Sequence, residues 1–109
     1  MKRDGEKNIT ARTVDFQIDE ELGTSKAGDG EIAVIGGIIT NKTVKYTRNN
    51  KVMAFLTIED LVGTVEVVVF PNDYEKNVQK MEEDSKVFIR GKVQGDADKA
   101  SKLICEKIY

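Results

Sequence analysis

The tightest constraint on this chain is a pair of alternating, β-branched runs joined by a glycine turn. In Val52-Met-Ala-Phe-Leu-Thr-Ile-Glu-Asp60, the residues Ala54, Leu56 and Ile58 share one face, and in Thr64-Val-Glu-Val-Val-Val-Phe70 so do Val65, Val67 and Val69. A period of two marks a strand with one buried side, and Gly63 supplies the turn between the runs. Upstream, Ile32-Ala-Val-Ile-Gly-Gly-Ile-Ile-Thr40 is β-rich but carries Gly36-Gly37. Glycine inside a strand predicts a bulge or tight bend, which a small barrel needs to turn a long first strand. The polar stretch Thr47 to Lys51 reads as the next turn. Pro71 stops the third run, Asn72 is the candidate N-cap, and Tyr74, Val78 and Met81 at i, i+4, i+7 predict a helix with one buried stripe. Lys86 to Val93 alternates again, with Val87, Ile89, Gly91 and Val93 on one face and Phe88, Arg90 and Lys92 on the other. A loop from Gln94 to Ser101 leads to Lys102–Tyr109, whose apolar residues fall at both parities and leave its faces unassigned.

Three strands, a helix and two strands is the order of an all-β, five-stranded OB-fold Greek-key barrel with one helix between strands 3 and 4. An SH3-like barrel would usually lack that helix. A chain of 109 residues has room for one core, and with aromatics at 6% that core must be built mainly from Val, Ile and Leu. The barrel is expected over residues 32–109. Residues 1–31 are expected to form an arm and linker, partly ordered or disordered. There Thr13 to Asp19 alternates like a strand, setting Val14, Phe16 and Ile18 in one apolar stripe, and Gly23 to Glu31 is rich in glycine, serine and acid. Because the pattern-derived core lies from Ile32 onward, removal of residues 1–30 is expected to leave a folded barrel at a cost of ~1–3 kcal/mol. The exposed stripe would pack on the barrel or pair two copies as a weak homodimer. No apolar stretch approaches the ~20 residues of a membrane span, and Met1-Lys2-Arg3-Asp4-Gly5 lacks a signal peptide's apolar run. A single cysteine, Cys105, makes no intramolecular disulfide and fits a reducing cytoplasm.

The net charge of −2 conceals a division. Residues 1–31 hold five Lys/Arg against eight Asp/Glu, whereas residues 32–109 hold twelve against eleven. Within residues 40–58 there are Lys42, Lys45, Arg48 and Lys51 and no acid. A basic end of the first strand and its following loop is a usual phosphate-contacting position in this fold, and Tyr46 lies among those cations. If Leu56 and Ile58 point inward, Phe55 and Thr57 point outward, as do Val68 and Phe70 on the next strand. Outward aromatics on the second and third strands are where OB-folds stack bases, at ~1–3 kcal/mol each. Arg90 and Lys92 would extend the path on the fourth strand. A solvated lysine-rich hairpin, with the rings packed under the arm or a neighbouring domain, is the structural alternative.

Catalysis finds little support. The chain has no histidine, which removes imidazole acid–base chemistry and His metal ligands. Cys105 reads as a small core residue. Glu59-Asp60 alternate across a strand and Glu82-Glu83 fall in a turn, so both pairs read as solvated surface. Gly36-Gly37 has neither the spacing nor the lysine of a phosphate-cradling loop. No cofactor or metal is expected.

The segment Met53-Ala-Phe-Leu-Thr-Ile-Glu-Asp-Leu-Val-Gly-Thr-Val-Glu-Val-Val-Val-Phe-Pro71 resembles the OB domain in the C-terminal part of the alpha subunit of bacterial DNA polymerase III. Gly36-Gly37-Ile38-Ile39-Thr40, Tyr74-Glu75-Lys76 and Val87-Phe-Ile-Arg-Gly-Lys-Val93 belong to the same resemblance, which spans roughly residues 32–109. The arm from Asn8 to Leu22 would correspond to the segment before the barrel. The resemblance implies a non-catalytic module lying beyond the polymerase core and associated with single-stranded template. The palm carboxylates and exonuclease-like metal-binding domain of such an enzyme have no counterpart here. Two other functions share the pattern. One is docking onto a clamp-loader subunit or neighbouring polymerase domain. The other is the transfer-RNA anticodon-binding barrel of class II aminoacyl-tRNA synthetases, which carry a similar Phe-x-x-x-Glu/Arg-Asp run; Val-Val-Val-Phe-Pro and Gly-Gly-Ile-Ile-Thr favour the polymerase.

Overall fold

A computed structural model describes Phe16, residues 18–19, 24–25, 28–61, 63–96 and 99–109. Two short strands, β1 (Ile18–Asp19) and β2 (Thr24–Ser25), pair with each other and lie against β7. The barrel follows as β3 (Ile32–Tyr46), β4 (Val52–Glu59), β5 (Thr64–Val69), β6 (Lys86–Asp96) and β7 (Lys99–Ile108), with helix α1 (Pro71–Asn77) between β5 and β6. The closed order is β3-β4-β5-β7-β6. Neighbours are antiparallel except β5 and β7, which run parallel through Val67↔Leu103 and Val68↔Ile104. This is the five-stranded OB-fold barrel expected from the element order.

The alternation places the core as read. Ala54, Leu56, Ile58, Val65, Val67, Val69, Val87, Ile89 and Val93 are all buried in one cluster with Ile35, Ile39 and Leu103. Its other parts depart from the pattern. Phe16 is wholly buried in the same cluster, so the core extends upstream of Ile32 and the apolar stripe of the arm is not exposed at its middle residue. Val14 lies outside the described residues. The glycine-rich stretch before the barrel is also tied down at its end: Gly30 N–H donates to the Val93 carbonyl (2.8 Å), Val93 N–H to the Glu31 carbonyl (2.8 Å), and Gly95 N–H to Asp29 Oδ1 (2.9 Å).

β3 is one unbroken strand of 15 residues rather than a run ending near Thr40. It pairs with β6 over Ile32–Ile38 and with β4 over Ile38–Tyr46, and the bulge falls at Thr40 instead of at the glycines. Gly37 serves the crossing. A Cβ there would collide with the Glu59 carbonyl oxygen and sit 2.8 Å from Ile58 Cγ2, so only glycine lets β3 pass this close to β4.

Pro71 begins the helix as well as ending the strand. It occupies the first helical position, where a missing N–H and fixed φ cost nothing, and Phe70, not Asn72, is the N-cap. The expected stripe fails at Val78, which is 42% exposed. After Asn77 the chain tightens into a 3-10 turn, Val78–Lys80, which rotates Val78 outward and returns Met81 to the core. Asn77 takes the inward place. Its side chain donates to the Asp73 carbonyl (2.7 Å) and accepts from Ile108 N–H (3.1 Å), linking α1 to β7.

The mixed parity of the last run has its cause in a bulge. β6 and β7 shift register between Arg90 and Gly91, which pair with Lys107 and Cys105 and leave Glu106 extra. Ser101, Leu103, Cys105 and Ile108 therefore all point inward. The expected loop from Gln94 to Ser101 is largely strand, because Gln94↔Lys102 and Asp96↔Lys99 continue the hairpin. No described helix is long and apolar enough to cross a membrane.

Candidate nucleic-acid interface

Register pairs define the outer surface. Thr43, Phe55, Val68, Ile104 and Lys92 stand opposite one another on successive strands β3, β4, β5, β7 and β6. Phe55 is half-buried at the centre of the β3–β4–β5 portion. The ammonium of Lys45, from β3, lies 5.2 Å from the Phe55 ring centroid, and Thr43, Lys45, Phe55 and Glu66 line a shallow open groove of about 240 Å³. Thr57 is half-buried beside Phe55, opposite Glu66.

All the expected site residues except Val68 and Phe70 separate into four groups. Lys45, Phe55 and Thr57 share the outer face. Lys42 and Tyr46 do not, because they pair with Leu56 and Val52 and belong to the opposite side of β3. That side is accessible there because the β3–β4 hairpin overshoots the barrel: beyond Ile38 β3 has no partner on β6, leaving Tyr46 73% exposed. Arg48 and Lys51 sit at the hairpin tip. The tip is closed by Thr47 N–H to the Lys51 carbonyl (2.8 Å) and Asn50 N–H to the Thr47 carbonyl (3.0 Å), with Asn50 in the left-handed region at φ 58°. Arg90 and Lys92 form a further group on β6, separated from Phe55 by β3 in one direction and by β5 and β7 in the other.

Val68 is a correction. Its parity is outward, but it is only 6% exposed, because Phe55 and Ile104 stand on either side of it in register. Covered by its neighbours, it offers no surface to a base. Phe70 is 46% exposed at the helix N-cap, an edge position. Phe88, also of outward parity, is buried to 6% over Gly36, its register partner.

Sequence reasoning missed Glu66. The acid-free run over residues 40–58 ignores what the next strand contributes, and the Thr57↔Glu66 pairing brings a carboxylate into the Phe55 groove. Lys102 Nζ lies 4.0 Å from Glu66 Oε2 and offsets it in part. The alternation of both runs, taken with the length of the Gly63 turn, was signal enough to find that pairing.

Past the end of β4, where Ile38 pairs with Glu59, an apolar cavity of about 470 Å³ is lined by Gly36, Gly37, Ile38, Asp60, Leu61, Lys86 and Phe88. Cys105 lies in the core, and burial, followed by the nearby carboxylates Asp73 and Glu106, pushes its thiol up to about 12. A neutral buried thiol is no nucleophile.

Comparison with known proteins agrees with this geometry. The DNA polymerase III subunit alpha of Aquifex aeolicus is 35% identical over 78 residues, covering 71% of this chain and 7% of that protein. The chain therefore spans a small fraction of such a relative's length. Among solved structures, an OBody bound to hen egg-white lysozyme superposes with a TM-score of 0.68 at 17% identity, covering 93% of this chain and 90% of that one. The SSB domain of a Synechococcus protein superposes with a TM-score of 0.59 at 12% identity, covering 75% and 94%. At these identities the structural likeness speaks for the fold. A family profile described as an OB-fold nucleic acid binding domain matches residues 33–109, the whole barrel from the second residue of β3 onward, and the chain belongs to that family.

Proposed function

We propose that the chain is a non-catalytic single-stranded DNA binding module of a bacterial replicative DNA polymerase, acting in DNA replication in the cytoplasm. The observation that carries this reading is the outward Phe55 ring covered by the Lys45 ammonium, within the stretch 40–58 that contains no acid. A cation over an exposed ring is worth ~0.5–1 kcal/mol, and a stacked base ~1–3 kcal/mol. A base therefore displaces Lys45 from the ring, and the released ammonium is then free to meet a phosphate. Arg48 and Lys51 at the tip continue the backbone path, with Tyr46 a second stacking ring on the opposite side of the hairpin. Arg90 and Lys92 are left out of this path because β3 intervenes. The 35% identity to a DNA polymerase III subunit alpha supports the replicative context and the presence of other polymerase domains as partners.

The test is a titration with short single-stranded DNA and RNA of matched sequence at several salt concentrations. Weak, sequence-tolerant binding is expected, with a log–log salt slope of roughly −2 for Lys45, Arg48 and Lys51, approaching −3 if Lys42 on the other side of β3 also meets a phosphate, at ~0.7 each. A slope near zero at measurable affinity would remove the electrostatic part of the proposal. The apolar cavity at Ile38, Leu61 and Phe88 supports a second reading, docking of a clamp-loader subunit or neighbouring polymerase domain. Ile38 and Leu61 are exposed beside it, and a protein partner would bury both.

A further inference from the structure

We propose that the outer face of β6 and β7 is a second nucleic-acid contact, one that takes the backbone of duplex DNA by charge alone. It rests on the reading of the chain as a DNA-binding module and is independent of Phe55. Outward positions on β6 carry Lys86, Arg90 and Lys92, and the β7 register sets Lys107 directly opposite Arg90. Alternate residues of a strand are about 7 Å apart, so Arg90 and Lys92 present adjacent cations along one line. Among the described residues, Glu106 Oε1 lies 3.9 Å from Arg90 Nε, and Asp60 lines the apolar cavity together with Lys86. Four cations against these two acids leave a positive strip, bounded beyond Lys92 by Asp29 and Glu31 where the arm joins β6.

What the strip lacks decides its ligand. Phe88 is buried, with the Lys86 ammonium 5.8 Å from its ring centroid, and Lys107 lies 4.8 Å from the ring centroid of Tyr109. Phe88 offers no platform along the line from Lys86 to Lys92, and the half-buried Tyr109 stands outside that line, past the end of β7, so the strip itself has no open ring to hold an unstacked base. A duplex keeps its bases stacked and offers phosphates on its outside, and such contacts position a protein without reading sequence. Single strands gain from stacking and are better served by the Phe55 side. With β3 between the two faces, a single strand on one and a duplex on the other would be held together at a junction.

The experiment titrates the full chain with a blunt duplex and, separately, with a single strand of equal length. Its variant is Lys92→Gln/Lys107→Gln, with Lys92→Arg/Lys107→Arg as the charge-retaining control and thermal melts to verify folding. Duplex affinity should fall about tenfold in the glutamine variant. The duplex salt slope should flatten by roughly 2, at ~0.9 per phosphate lost. The arginine variant should bind as the parent does, and single-strand binding should be unchanged in both. Unmeasurable duplex binding by the parent overturns the proposal, as does an equal loss for duplex and single strand or no loss at all. If the parent binds duplex in this charge-dependent way but fails to bind single strands, this inference stands and the single-strand reading falls.

Discussion

At the scale of single residues, Phe55 and Lys45 touch each other and yet should respond differently to removal. Phe55→Ala deletes the stacking surface and is expected to weaken single-strand binding by ~1–3 kcal/mol with the salt slope nearly unchanged. Lys45→Ala deletes a phosphate partner but also uncovers the ring, so a flatter slope, by about 0.7, should accompany a smaller loss of affinity. Fluorescence titrations of both variants at three salt concentrations separate the two effects. If Phe55→Ala instead unfolds the domain, the ring belongs to the core. Cys105 gives a test at alkaline pH. Its folded-state value of about 12 lies above the ordinary 9.0, so the stabilisation of the neutral thiol is complete below about 9 and is lost as pH rises toward 12. The melting temperature of the parent should therefore fall more steeply than that of Cys105→Ala between pH 9 and 11. Inward and outward parity was legible for Phe55 and Thr57 because each alternates with aliphatic neighbours. It did not reveal that Val68 and Phe88, outward by the same rule, are covered by the side chains or strands beside them. Parity gives direction; exposure depends on the neighbouring strand.

Elements were legible where one rule governed them and illegible where two competed. β4 and β5 alternate in direction and came out in full apart from the covered Val68. β7 hides its period behind the extra residue Glu106, and a bulge has no signature in one strand alone because it is defined against its partner. The helix stripe was drawn at 3.6 residues per turn across a segment whose last turn runs at three, which turned Val78 out and Asn77 in. Gly36-Gly37 pointed correctly to β3, although the feature it serves is close crossing at Gly37 and not the bulge, which lies at Thr40. Gly37→Ala should accordingly destabilise the barrel by ~1–3 kcal/mol through overpacking against Glu59 and Ile58, measured as a lower urea midpoint with the slope unchanged. A midpoint equal to the parent's would mean that β3 and β4 can part there without cost.

For the molecule as a whole, Phe16 ties the arm to the barrel core. A fully buried Phe is worth ~3–5 kcal/mol against Ala, more than the stripe alone suggested. Removal of residues 1–30 is expected to leave a folded barrel that melts well below the parent, and Phe16→Ala alone should reproduce most of that shift in a thermal melt. Loss of cooperative unfolding on truncation would make the arm part of the folding unit. Charge distribution was readable in sequence at the hairpin, whose cations are contiguous. It was unreadable on β6–β7, where Arg90 and Lys107 become neighbours only through pairing. The ring of strands also has a seam. β5 and β7 are held in register at only two positions, and those join residues 36 apart in the chain, a closure that loop entropy makes late in folding. Local opening concentrates where such pairing is shortest. This seam runs beside Phe55, between Glu66 on one strand and Lys102 on the other. A strand of nucleic acid laid from Phe55 across to Lys102 would act as a suture, slowing amide exchange on β5 and β7 and making the bound barrel harder to pry open than the free one.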